Sequence, residues 1–237
     1  MTPNIMLSLS EVFHSLQGEG AYSGVPSWFI RFNGCNLRCS WCDTPYTSWK
    51  PEGRALSLDS LLLEFRSQHS RTHHYVITGG EPMIWPQQVT LLIEAIRKQD
   101  GDAVITIETN GTRYHDEVLP NLWSVSPKLE TSAPDSNHPA ERFLHNRNNL
   151  LNNLPRFSEK TAAQFKFVVT CPGDLDEVEN IRAAYGISPR QVIIMPEGNT
   201  AEAQLKALEW LPMECIKRGI RFMPRQHVLI WGPKRGV

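Results

Sequence analysis

Apolar residues follow two rhythms along this chain. Six short, mostly apolar runs lead into turn residues: SWFIRFNG (Ser27 to Gly34), HYVITGG (His74 to Gly80), AVITIETNG (Ala103 to Gly111), LWSVSPK (Leu122 to Lys128), QFKFVVT (Gln164 to Thr170) and QVIIMPEG (Gln191 to Gly198). Their length, their β-branched and aromatic content and their exits predict strands. Between them, apolar positions fall three and four apart. SLDSLLLEFRSQ predicts a helix capped by Ser57, with Leu58, Leu61, Leu62 and Phe65 on one face. PQQVTLLIEAIRKQ opens on Pro86 and aligns Val89, Leu92, Ile93 and Ile96. DLDEVENIRAAYG predicts a helix closed by Gly186, TAEAQLKALEWL one interrupted near Pro212, and IRFMP a last short strand. Thr131 to Thr161, rich in Asn, Pro and charge, reads as an insertion on a connection, with an irregular helix around Phe143 to Leu154.

Strands that alternate with helices predict an α/β fold whose parallel sheet is built from βα units. Functional residues then belong at the strand C-termini. Here those are Asn33–Gly34, Thr78–Gly80, Glu108–Gly111, Ser126–Lys128 and Met195–Gly198. The pattern shows no internal repeat, and a single domain is expected over residues 1–237.

Composition narrows the partners. Lys plus Arg total 24 and Asp plus Glu total 25, so no strongly basic surface for nucleic acid is expected. No apolar run reaches the length of a membrane span. MTPNIMLSLSEVF does not read as a secretion leader. Five cysteines, three of them clustered, argue against a disulfide framework and for a reducing, cytoplasmic setting.

The cluster is GCNLRCSWCDT, in which Cys35, Cys39 and Cys42 read C-x3-C-x2-C. A closed zinc site needs four ligands and favours paired C-x2-C knuckles, and the second knuckle is missing. Cys171 and Cys215 read instead as buried small hydrophobes. Three thiolates holding a cubane iron–sulfur cluster leave one iron open, as a catalytic metal site does for its substrate.

C-x3-C-x2-C with Trp41 before the last cysteine resembles the signature of the radical S-adenosylmethionine (SAM) superfamily. TGGEP (Thr78 to Pro82) after the second run and SPK (Ser126 to Lys128) after the fourth resemble its SAM-contact segments. The resemblance implies a partial, shortened (β/α)6 barrel, a [4Fe–4S] cluster on the three cysteines, and SAM held by Trp41, Cys42, Asp43, Gly80, Glu81, Ser126, Pro127 and Lys128. Glu81 offers an acceptor for the SAM ammonium, and Gly79 and Gly80 allow close approach.

Within that superfamily, SLQGEG, G-x-P-S-x-F-x-R, WCDT, ITGGEP and IETNG resemble the 7-carboxy-7-deazaguanine synthase family of the queuosine and 7-deazapurine pathways. The likeness is dense in the first half and thin in the second. It implies a lyase acting on 6-carboxy-5,6,7,8-tetrahydropterin, with hydrogen abstraction at C6, ring contraction and loss of ammonia. Leu16, Gln17, Gly18, Arg31, Thr78, Glu108 and His227 are then the substrate residues. Gln17 has an amide that donates and accepts, and Arg31 a fork that suits a carboxylate. Mg2+ would take an oxygen from Thr44. A homodimer and a flavodoxin-type reductant are also implied. His73 and His74 read as loop residues. The rival readings are a glycyl-radical activating enzyme, against which WCDT and SLQGEG speak, and a non-catalytic iron–sulfur or zinc module, which needs no βα barrel.

Overall fold

All six apolar runs form strands in the computed structural model, which describes residues 5–68, 71–135, 138 and 144–237. In chain order the strands are β1 (Met6–Leu16), β2 (Pro26–Phe32), β3 (Arg54–Ser57), β4 (His74–Gly79), β5 (Val104–Thr109), β6 (Leu122–Val125), β7 (Ala163–Val169), β8 (Val192–Pro196) and β9 (Arg221–Phe222). From β2 through β4 to β9 neighbouring strands pair parallel, and β1 and β3 extend the sheet antiparallel beyond β2. The sheet is open, with β3 and β9 at its edges. IRFMP supplies β9 as expected. β1 and β3 are additions to the expected pattern. In β1, MLSLSEVFHSL, only Leu7 and Leu9 are fully buried, so its apolar signal is thin.

The helices are α1 (Pro45–Ser48), α2 (Leu58–Gln68), α3 (Pro86–Gln99), α4 (Leu144–Ser158), α5 (Pro172–Ala184), α6 (Ala201–Ala207), α7 (Leu211–Arg218) and α8 (Gln226–Trp231). Ser57 Oγ accepts from the Ser60 N–H at 3.2 Å, the cap expected of α2. Pro86 occupies the first turn of α3, and Val89, Leu92, Ile93 and Ile96 are buried. Gly186 follows α5 with φ +64°, a conformation that favours glycine. α4 contains Pro155, and the Phe143 start expected for it lies outside the described residues. The expected break near Pro212 falls at Leu208–Trp210 instead. Pro212 sits in the first turn of α7, where its missing N–H leaves no hydrogen bond unmade.

One hydrophobic cluster joins Leu61, Leu92, Leu154, Val178 and Leu211 of the helices to Ile77, Ile107, Phe165 and Ile194 of the strands. The opposite face of the parallel strands carries most of their buried polar side chains, among apolar ones such as Val76 and Ile193. His74, expected in a loop, opens β4 and is held by Ser27 Oγ at 2.7 Å and Thr106 Oγ1 at 2.9 Å. Gln164 donates to Ser124 Oγ at 2.9 Å. Cys215 is buried as expected, whereas Cys171 is exposed at the N-terminus of α5.

Candidate active site

Side chains at the C-terminal ends of the parallel strands and the loop that follows β2 together line a cavity of about 460 Å3. Arg31 of β2 pairs in register with Thr78 of β4, and Glu108 of β5 stands one residue beyond the Ile77–Ile107 pair. Strand register therefore sets an arginine, a hydroxyl and a carboxylate side by side on one wall. Thr78 Oγ1 donates to Glu108 Oε2 at 3.1 Å, and Gln17 Nε2 donates to Glu108 Oε1 at 3.3 Å. Arg31 Nε donates to Glu11 Oε1 at 2.7 Å. His227 of α8 closes the same end, so near Gly18 that a Cβ there would lie 2.2 Å from its Nδ1.

The facing wall is the cysteine loop. Cys35, Cys39 and Cys42 are free thiols that all line the cavity. Asn36 fixes the loop to the end of β5, through Thr112 at 2.8 Å and Asn110 at 3.0 Å. Trp49 Nε1 donates to Cys39 O at 3.0 Å, and Ser40 N to Ser132 O at 3.0 Å. A Cβ on Gly80 would lie 2.3 Å from Gly34 O and 2.8 Å from Cys35 Cβ, so glycine is required for this close approach. Burial pushes the Cys35 thiol up to about 12 and raises Cys39 as well. Among the described residues no three His, Cys, Asp or Glu side chains converge on a single ion.

The sequence profile of the radical SAM superfamily matches residues 29–161. A 7-carboxy-7-deazaguanine synthase of Rhodopirellula baltica is 38% identical over 98% of this chain and 89% of its own length. One of Halobacterium salinarum is 36% identical over 95% of this chain and 90% of its own. The chain belongs to the 7-carboxy-7-deazaguanine synthase family. The crystal structure of QueE from Escherichia coli resembles it with a TM-score of 0.64 at 26% identity, covering 94% of this chain and 95% of that one. Streptococcus suis SuiB, solved with S-adenosylmethionine, shares the fold alone, with a TM-score of 0.54 at 14% identity over 85% of this chain and 53% of that one.

Radical SAM chemistry uses a [4Fe–4S] cluster and SAM, and the residues present suit both. Three thiols line one cavity, the ligand number that leaves one iron of a cubane cluster open. Leu37 N donates to Cys35 Sγ at 3.4 Å, and Ser48 Oγ lies 3.3 Å from Cys42 Sγ. Bound iron would offset the burial that raises the Cys35 pKa. Trp41, Asp43, Gly80, Ser126 and Lys128 line the cavity beside the thiols. Lys128 Nζ donates to Ser126 Oγ at 2.8 Å and lies 6.0 Å from the Trp41 ring centroid.

Two residues expected at the synthase site do not face it. Pro127 is buried beside its cavity-lining neighbours. Glu81, expected to accept the SAM ammonium, turns inward and is fully buried. Its Oε1 accepts from Met83 N at 2.9 Å and Thr109 Oγ1 at 2.8 Å, and its Oε2 from Asn110 N at 2.6 Å. Burial lifts it to about 7 against these donors. Its carboxyl braces the β4 and β5 exits, and the cavity there is bordered by Gly79 and Gly80.

The structure adds charged residues that sequence reasoning missed. Lys166 Nζ bridges Glu19 Oε2 at 2.7 Å and Glu108 Oε1 at 2.9 Å. Arg225 Nε bonds Glu19 Oε1 at 3.0 Å, and its Nη2 pairs with Asp43. Burial opposes the Glu19 charge, but Lys166, Arg225 and His227 outweigh it and hold its pKa well below the usual range. One signal was present: a lysine between Phe165 and Phe167, where a parallel strand is ordinarily apolar throughout.

Proposed function

We infer that the protein is a radical SAM lyase that converts 6-carboxy-5,6,7,8-tetrahydropterin to 7-carboxy-7-deazaguanine with loss of ammonia. The carrying observation is the two-walled cavity: a thiol loop faces a strand wall of Arg31, Thr78 and Glu108, in a chain alike over 98% of its length to a synthase of that name. When bound, the cluster on Cys35, Cys39 and Cys42 together with SAM would supply the one-electron radical chemistry that hydrogen abstraction at C6 needs. The chain's own residues bind and orient. Arg31 keeps its terminal nitrogens for the substrate carboxylate, because Glu11 takes only Nε. Glu108, Thr78 and Gln17 meet the ring edge, and His227 and Gly18 bound it. Gly80, Trp41, Ser126 and Lys128 take SAM.

Mg2+ belongs to the same reading. Thr44 lines the cavity two residues beyond Cys42, and Mg2+ takes few protein oxygens when substrate and water supply the rest. The reading also includes a cytoplasmic homodimer reduced by a flavodoxin-type protein. No described helix is long and apolar enough to cross a membrane.

The test is anaerobic reconstitution with iron, sulfide, SAM, Mg2+ and dithionite. The expected result is 7-carboxy-7-deazaguanine from the carboxypterin. Formation of 5′-deoxyadenosine without that product, from a protein with full cluster content, sinks the assignment.

A further inference from the structure

Lys166 has no part in the binding scheme above, yet it stands at its centre. It lies on β7 with its side chain 3% exposed, between the core residues Phe165 and Phe167. A buried ion pair is a poor way to gain stability, since well-packed apolar residues of similar volume commonly do as well or better. Two carboxylates nevertheless converge on this ammonium, Glu19 at 2.7 Å and Glu108 at 2.9 Å. Burial works against its charge, but Glu108 and Glu19 outweigh burial and raise its pKa. Arg225 holds the far oxygen of Glu19, so the ammonium is fixed from two sides.

The hydrogen bonds of Glu108 show what this fixing does. A carboxylate offers about four acceptor positions, two on each oxygen. Lys166 and Gln17 occupy Oε1, and Thr78 occupies one position on Oε2. One position on Oε2 remains, on a side chain that lines the cavity. We propose that Lys166 is a positioning residue that sets substrate specificity: by occupying Oε1 it turns Oε2 of Glu108 toward the 2-amino group of the bound pterin. The proposal rests on the function inferred above. A fixed acceptor rewards an N–H donor at the 2-position and rejects a carbonyl there, because two acceptors then face each other without a proton.

The experiment measures anaerobic binding to the cluster- and SAM-loaded protein. The ligands are 6-carboxytetrahydropterin and its 2-oxo analogue, the corresponding lumazine. The wild type is expected to prefer the pterin by roughly tenfold or more. Lys166→Met is expected to shrink that preference below about threefold and to raise KM more than it lowers kcat. Its iron content and SAM affinity stay at wild-type values. In Lys166→Ala, added ethylammonium restores the preference, whereas tetramethylammonium, which has no N–H, does not. A wild-type preference kept by Lys166→Met overturns the proposal alone. A wild type that does not bind the carboxypterin overturns the functional reading and the proposal with it. If both Lys166 variants fail to load the cluster, Glu19→Gln decides, since it loosens Lys166 while leaving it on Glu108. The preference should then fall about threefold, and an unchanged preference overturns the proposal.

Discussion

Glu11 and Arg31 are register partners on β1 and β2, and their side chains meet at 2.7 Å, Oε1 to Nε. Glu11 also accepts from Tyr46 at 2.9 Å and from Arg235 at 3.1 Å. Burial opposes its charge, but Arg31 and these donors outweigh burial and lower its pKa. Glu11 thus fixes the arginine by one edge, and the outer edge of the fork remains for a carboxylate.

Arg31→Lys keeps the charge and loses that edge. The expected cost in carboxypterin affinity is roughly 1.5–3 kcal/mol, with SAM affinity unchanged. Calorimetry reads both, with SAM titrated into the cluster-loaded protein and the carboxypterin into the SAM-loaded one. Equal losses for the two ligands would place Arg31 in folding or in the SAM site.

Gly80 controls whether the thiol loop closes. In Gly80→Ala the new Cβ meets the Gly34 carbonyl oxygen at 2.3 Å, and backbone has no rotamer with which to retreat. The strain is about 1–3 kcal/mol and falls on the cysteine loop. Iron content after reconstitution should drop by half or more. Gly101→Ala, where no atom lies within 4 Å, is the control and should load fully. Cys171→Ala and Cys215→Ala should also keep their iron, while loss of any of Cys35, Cys39 or Cys42 removes it. Full loading of Gly80→Ala would falsify the tight-approach argument.

His74 ties stability to pH. Burial between Ser27 and Thr106 pushes its pKa down to about 4 from 6.5, although Glu108 pulls the other way. The unfolded chain therefore binds more protons between those values. The contribution is complete above pH 6.5 and is lost as pH falls toward 4, about 3 kcal/mol in all. By pH 5 the loss is about 2 kcal/mol, or about 4–8 °C in melting temperature. His74→Gln has no such group, so its own drop between pH 7.5 and pH 5 should be smaller by that amount. Parallel melting curves for the two proteins would show that His74 is not the group involved.

Local and periodic features were legible in the sequence. Six of the seven parallel strands described announce themselves by apolar runs, and the cysteine loop by its spacing. β1 did not, because most of it is only half buried and polar residues interrupt its apolar pattern. The inward turn of Glu81 was also hidden: the GGEP motif says that a carboxylate stands at the strand exit, but two of the three donors that capture it, Thr109 and Asn110, are set by tertiary packing. The charged network was the hardest to read. Lys166 meets Glu108 across 58 positions and Arg225 meets Glu19 across 206, and no local pattern encodes such pairs.

Thr44 sits at the exit of the thiol loop as the residue before α1, and its side chain takes no helix-capping bond. Its backbone carbonyl accepts from Thr47 Oγ1 at 2.9 Å, while among the described residues its own hydroxyl has only long contacts, to Thr47 Oγ1 at 3.5 Å and Cys42 Sγ at 3.9 Å. A lightly engaged oxygen beside the cavity suits a hard cation, which gives up few waters and takes the rest of its ligands from substrate. Thr44→Val keeps the branched shape and removes the oxygen. Cluster content and SAM affinity are expected to match the wild type, because neither uses the hydroxyl. Turnover should fall at least roughly tenfold, and the Mg2+ concentration for half-maximal activity should rise. Anaerobic assays across a Mg2+ titration read both quantities. An unchanged Mg2+ response with full activity would remove Thr44 from the metal site, whereas loss of cluster iron would assign it to the thiol loop instead.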